Sequence, residues 1–71
     1  MKKYYIVFQI CQGGKYYAHA WPVTESDNLL SVFERMGPGV VAANMAPTKK
    51  RAGEIVNALR DTYKANGNYM F

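Results

Sequence analysis

Cys11 and His19 are the side chains of this sequence best suited to nucleophilic or acid–base chemistry, and each type occurs once. A thiol and an imidazole in reach of one another could form a thiolate and its base. Here the intervening chain keeps them apart. Gly13-Gly14 separates two aromatic-rich runs, and a two-residue turn there sets Gln12 opposite Lys15. In that register Cys11 and His19 project from opposite faces of the hairpin. His19 then reads as a core or edge histidine opposite Phe8. Cys11 reads as a small hydrophobe, with no cation beside it except Lys15 past the turn. One Cys and one His cannot fill a tetrahedral metal site, and a single thiol forms no internal disulfide. The carboxylates Glu25, Asp27, Glu34, Glu54 and Asp61 are scattered, without acid–base or metal-ligand spacing. Gly37-Pro38-Gly39 is a turn, not a phosphate cradle. The sequence therefore argues against an enzyme, with no catalytic residue, metal or cofactor expected.

Binding chemistry has more support. Thr48-Lys49-Lys50-Arg51 places three cations in the first turn of a helix, whose N-terminal dipole is already positive. A phosphate or other anion would relieve that conflict and bond the free amides. The plainer reading is a solvated charge run with long stems covering the sheet edge. Lys2, Lys3 and Lys15 would extend a basic patch only if they project to the same side. Tyr5 and Tyr16 could stack bases, as sheet-surface aromatics do. They sit in no RNP-type motif, and packing is the commoner role for such tyrosines.

The elements that hold these residues follow from pattern. Tyr4–Gln12 and Lys15–Val23 read as a β-hairpin in which Ile10 faces Tyr17, Phe8 faces His19 and Ile6 faces Trp21. Pro22 should end the ladder or lie on an edge. Ser26-Asp27-Asn28 offers caps for a short helix, about Asp27 to Met36, bearing Leu29, Leu30, Phe33 and Met36. An ordered loop with apolar anchors is the alternative. Gly37-Pro38 stops it. Gly39 to Ala46 reads as a third strand with Val40, Ala42 and Asn44 on one face and Val41, Ala43 and Met45 on the other. Thr48 caps a main helix of about Lys49 to Asn66, with the apolar stripe Ala52, Ile55, Val56, Leu59 and Tyr63 and an outer Lys50–Glu54 pair. Asn66-Gly67 caps its end, and Tyr69 and Phe71 are expected to dock on the core or extend the sheet. The expected fold is α+β, a small antiparallel sheet opened by an N-terminal hairpin, in the order β-β-α-β-α with a docking tail. Residues 1–71 form one domain.

The main helix can cover one face of so small a sheet. Ile6, Phe8, Ile10, Tyr17 and Trp21 carry the larger apolar area, and Gln9 marks the other face as wet, so the first face is the expected core. The second face, with Tyr5, Val7, Cys11, Tyr16, Ala18 and Ala20, carries no charge. Either it is a contact surface, or another element such as the short helix covers it. A chain of 71 residues buries only about 60% of its unfolded surface, and small scaffolds usually need disulfides, metals or partners. Self-association through Tyr5, Val7, Tyr16, Ala18 and Ala20 would answer that need.

The apolar fraction is 49%, which speaks against disorder, and the net charge of +4 permits weak attraction to nucleic acid or an acidic partner. No stretch reaches the roughly 20 apolar residues of a membrane span. Met1-Lys2-Lys3 opens like a signal peptide, but Gln9 and Gln12 interrupt the apolar run behind it. With a lone thiol, this points to a reducing cytoplasm.

Tyr4-Tyr5-Ile6-Val7-Phe8, Lys15-Tyr16-Tyr17-Ala18, Asn28-Leu29-Leu30, and Ala43-Asn44 followed by Thr48-Lys49-Lys50 resemble short bacterial proteins of the phage and mobile-element type. That group carries no known activity. The tyrosine-rich hairpin and Thr48-capped helix also resemble the N-terminal domain of HicB-type antitoxins, which would imply toxin neutralisation. The sequence lacks that family's Pro-containing segment after the second strand and adds Asn28 to Met36. Taken together, these readings predict a small self-associating binding module, a homo-oligomer with a possible protein partner. A weak anion or nucleic-acid binder through Thr48, Lys49, Lys50 and Arg51 is the alternative.

Overall fold

Gly13 and Gly14 adopt φ of 58° and 78°, the left-handed values that let a two-residue turn follow the twist of its strands. The turn fixes the register of the two strands it joins. A computed structural model describes residues 2–70. Strand β1 (Lys3–Gln12) pairs antiparallel with β2 (Lys15–Thr24), with Ile10 opposite Tyr17, Phe8 opposite His19 and Ile6 opposite Trp21, as the turn chemistry requires. Helix α1 (Leu29–Met36), strand β3 (Val40–Ala46) and helix α2 (Lys49–Ala65) follow, and the sheet order is β2-β1-β3. The fold is α+β with the expected order and hairpin.

Local chemistry sets the boundaries. Helix α1 begins two residues later than the pattern suggests. Asp27 Oδ2 accepts the Thr24 amide at 2.7 Å, and it is Asn28 whose Oδ1 accepts the Leu30 amide at 3.0 Å. Gly37, at φ 83°, closes the helix by donating to the Glu34 carbonyl. Thr48 caps α2, its Oγ1 accepting the Arg51 amide at 3.1 Å. Glu54 pairs with Arg51 at 3.5 Å, three residues back, in place of Lys50. Strand β2 runs past Pro22 to Thr24 because Pro22 lies opposite Tyr5 at a position whose amide points out of the sheet.

The sheet is covered on both faces, and by the opposite helices from those expected. The longer helix α2 packs on the face of Tyr5, Val7, Ala18 and Ala20, through Ala52, Ile55, Val56 and Leu59. The short helix α1 covers the face of Ile6, Phe8 and Ile10, through Val32 and Met36. Phe33 meets Phe8 edge-on at a centroid distance of 5.1 Å. The expectation that the main helix covers the large-residue face is corrected. A long helix can approach closely only where the sheet offers small side chains, and Val7, Ala18, Ala20 and Ala46 provide that surface. Phe8 and Trp21 instead fill the gap beneath the short helix.

A bulge modifies β3. Gln9 lies opposite Ala42, and Ile10 lies opposite Val40, so Val41 is an extra residue. Strict alternation is thereby broken. Val40 joins Ile10 on the α1 side, while Ala42 and Asn44 stay with Gln9 and Val7 on the α2 side. The tail behaves as expected at Tyr69, which bridges Tyr16 in parallel along the outer side of β2. Phe71 lies outside the described residues.

Two glycines separate close approach from tolerance. A Cβ on Gly39 would lie 2.9 Å from the Cys11 carbonyl oxygen, whereas one on Gly53 would meet nothing within 4 Å. Gly53→Ala should raise stability by about 0.5–1 kcal/mol, the helix-interior difference. Gly39→Ala should lower it by about 1–3 kcal/mol through backbone displacement. Urea unfolding of the two variants beside the parent checks both signs.

Candidate interaction surface

The proposed contact face on the hairpin is not free. Val7 is fully buried under α2, and Tyr5, Tyr16, Ala18 and Ala20 are half-buried around it. Its lack of charge reflects interior packing against Ala52 and Val56. The reading of Tyr5, Val7, Tyr16, Ala18 and Ala20 as an open self-association surface is therefore corrected. The physical reason is the face assignment: the helix that was to cover the other side lies here.

Polar groups beneath α2 serve the fold. Tyr63 Oη donates to Gln9 Oε1 at 2.9 Å, so the amide that suggested a wet face is satisfied by a buried phenol. Tyr63 also stacks on Tyr16 at 5.4 Å. A side-chain hydrogen bond with Cys11, followed by the charge of Cys11 and then desolvation, pushes the Tyr16 phenol above its ordinary value. Burial, followed by the charge of Tyr16, does the same for Tyr63. Cys11 thus lies against a tyrosine, with His19 on the other face opposite Phe8. His19 is exposed and tilts against Trp21 at 6.0 Å. Among the described residues, no three of His, Cys, Asp and Glu gather as a metal-binding set.

The structure partly answers the basic run. Thr48 and Arg51 are occupied with each other and with Glu54, which supplies the negative charge that the first turn of α2 lacks. Lys49 and Lys50 are exposed. Lys49 shares a groove of about 560 Å³ with Lys3, Tyr5, Pro22 and Asn57. Lys2 and Lys3 flank a second groove of about 360 Å³ with Tyr4, Met45 and Pro47.

The surface that sequence reasoning missed lies on α1 and β3. Leu29, Leu30, Phe33, Val41 and Met45 are 39%, 68%, 39%, 60% and 65% exposed. Leu29, Leu30 and Phe33 belong to the helix on the Phe8 side of the sheet. Met45, opposite Ile6, projects to that same side. From Leu29 to Ala46 the chain holds one acid, Glu34, and one base, Arg35. The whole net charge of +4 therefore lies elsewhere. The signal available in sequence was the uncharged run Gly37 to Ala46, but strand periodicity could not say that both of its faces stay open.

No protein-family model, no curated protein and no solved structure matches this chain. Among the described residues, no helix is long and apolar enough to cross a membrane.

Both phenols titrate higher in the folded chain than the ordinary 10.0. A raised folded pKa contributes stability that is complete below the unfolded value and is lost as pH rises through the folded one. Stability should hold up to about pH 10 with respect to these groups and fall above it. Tyr63→Phe should cost about 1 kcal/mol at neutral pH, by leaving Gln9 without its donor, and should flatten the alkaline decline. Thermal unfolding from pH 7 to 11, for parent and variant, measures both.

Proposed function

We propose that this chain is a small non-enzymatic module that associates with protein, first with its own copies, through the apolar surface of α1 and β3. The observation that carries this reading is the joint exposure of Leu29, Leu30 and Met45 on the Phe8 side of the sheet, in a net-neutral segment of a basic chain. Single exposed apolar residues are ordinary; a group of large ones on one side of a domain is the pattern of a contact surface. The group includes a half-exposed aromatic, Phe33, of the type enriched where interfaces concentrate their energy. Cys11, Tyr16, Tyr63 and Gln9, the polar groups beneath α2, are engaged with one another in packing.

Sedimentation velocity over a concentration series tests the reading. The average mass should rise from 8.0 kDa toward twice that value as concentration increases. Leu30→Glu, at an exposed position that leaves the core intact, should weaken the association at least about tenfold, equal to about 1.4 kcal/mol. A chain that remains monomeric up to about 1 mM would overturn it.

A second reading rests on the groove that Lys3 and Lys49 share. Weak binding of an anion or nucleic acid there would be salt-sensitive. Fluorescence anisotropy with labelled single-stranded DNA at low salt should then show binding that Lys49→Glu and Lys50→Glu reduce. A flat titration disposes of this alternative.

A further inference from the structure

We infer that two copies of this chain join edge to edge through β3, antiparallel about a two-fold axis at Ala43, to form one continuous six-stranded sheet. This deepens the association reading above and rests on it. The argument begins with which backbone groups point out of the sheet. The outward amide and carbonyl of Tyr16 bond the tail, donating to Asn68 O at 2.8 Å and accepting from Met70 N at 3.0 Å. Amide direction alternates along a strand. Ala18, Ala20, Pro22 and Thr24 therefore also point outward from β2, and the odd residues of β1 point toward β3. Cys11 N, donating to Gly39 O at 2.9 Å, agrees. Ala42, Asn44 and Ala46, opposite Gln9, Val7 and Tyr5, thus turn their backbone groups inward. Ala43 and Met45 turn theirs outward, and among the described residues nothing bonds them.

The two edges of the sheet are treated differently. On β2 the tail occupies Tyr16, Pro22 has no amide to offer, and Asp27 takes both backbone groups of Thr24, accepting from its amide at 2.7 Å and donating its own amide to the Thr24 carbonyl at 3.0 Å. Only Ala18 and Ala20, between these guards, keep unbonded outward groups among the described residues. Strand β3, Val-Val-Ala-Ala-Asn-Met-Ala, has no charge and no proline. Those are the devices that keep an edge from pairing. Past the bulge at Val41, the one guard of this edge among the described residues, the unbonded amides of Ala43 and Met45 are open to another strand.

The occupant is a second copy because the edge is complementary to itself. Antiparallel pairing about Ala43 sets Ala43 against its own copy and brings Met45 beside Val41 of the other copy, so the two large exposed apolar side chains of β3 adjoin. No cation meets a cation along this line. The small Ala43 pair, opposite Phe8, lets the two strands approach closely on the side where α1 lies. A stable interface needs about 1,000 Å² in total, about 500 Å² from each copy. That is roughly a tenth of the 4736 Å² surface, a share that a seven-residue edge and the adjoining apolar side chains can reach.

The test combines one variant with one measurement on the parent chain. Ala43→Pro removes an outward amide at an edge position without touching the β1–β3 ladder. It should weaken the dimer at least tenfold in sedimentation while the circular dichroism of the monomer is kept. In a mixture of isotope-labelled and unlabelled parent chain, Ala42 and Asn44 of opposite copies form a close non-hydrogen-bonded pair. An isotope-filtered NOE spectrum should show a cross-copy Hα–Hα contact between them. If Ala43→Pro fails to fold, that contact decides alone. A dimer that persists in a folded Ala43→Pro chain and lacks the contact overturns edge pairing while leaving the apolar-surface reading standing. Absence of any dimer overturns both.

Discussion

Strand β1 is buried on both sides. Ile6, Val7 and Phe8 are consecutive, point alternately to opposite faces, and expose 2%, 0% and 0% of their surface. Every other element takes its place from that constraint. β2 and β3 must flank β1 to satisfy its backbone, and one helix must cover each face, since Val7 and Phe8 cannot both be dry otherwise. In this way an 8.0 kDa chain obtains three layers, although small domains have little interior to spend on more than one core. The outer strands bear the consequence. They are buried only where they adjoin β1, and β3 is exposed from Val41 to Met45.

The hairpin register was legible because it rests on one local fact, the positive φ of two adjacent glycines, and everything from Gln12 opposite Lys15 to Ile6 opposite Trp21 follows by counting. The caps at Asn28 and Thr48 were legible for the same reason: a side-chain oxygen reaches an amide two or three residues on. Which helix covers which face was not. Comparing apolar area favours the large side chains of Phe8 and Trp21 for the longer helix. Packing follows volume instead, and a long helix settles where the sheet is thin, over Val7, Ala18 and Ala20, with its own Ala52 at the contact. One clue did exist. The run Ile6-Val7-Phe8 has no polar interruption, which is the mark of a strand covered on both faces.

Gln9 shows why the clue was outweighed. A glutamine in a strand normally faces water, yet here its amide is half-buried and bonded by a phenol from α2, a partner 54 residues away in sequence. Such satisfaction cannot be seen without the tertiary contact. The apolar surface on α1 and β3 was hidden by the same kind of non-locality. Leu29, Leu30 and Phe33 have the spacing of a core-facing helix. Their exposure follows from α1 being only eight residues long and using Val32 and Met36 to close the core. The bulge at Val41 leaves no mark in a run of Val and Ala.

The contrast between the two sheet edges ties these points together. Along β2 the chain uses its own tail, a proline and an aspartate to occupy or delete outward-facing groups. Each of these sits where the backbone requires it: Tyr16, Pro22 and Thr24 all lie at positions pointing away from β1. Along β3 the comparable device among the described residues is the bulge at Val41, and the side chains of Ala43 and Met45 beside the open amides are apolar. Charge follows the same division, since the basic residues gather at the start of β1, at the turn and along α2, while Leu29 to Ala46 is neutral. A monomer optimised for solubility would place a lysine on its bare edge. That no charged side chain lies on β3 is the physical reason for reading it as a joining strand. The burial that a chain of this size lacks would then be supplied by its own copy, which makes stability a function of concentration.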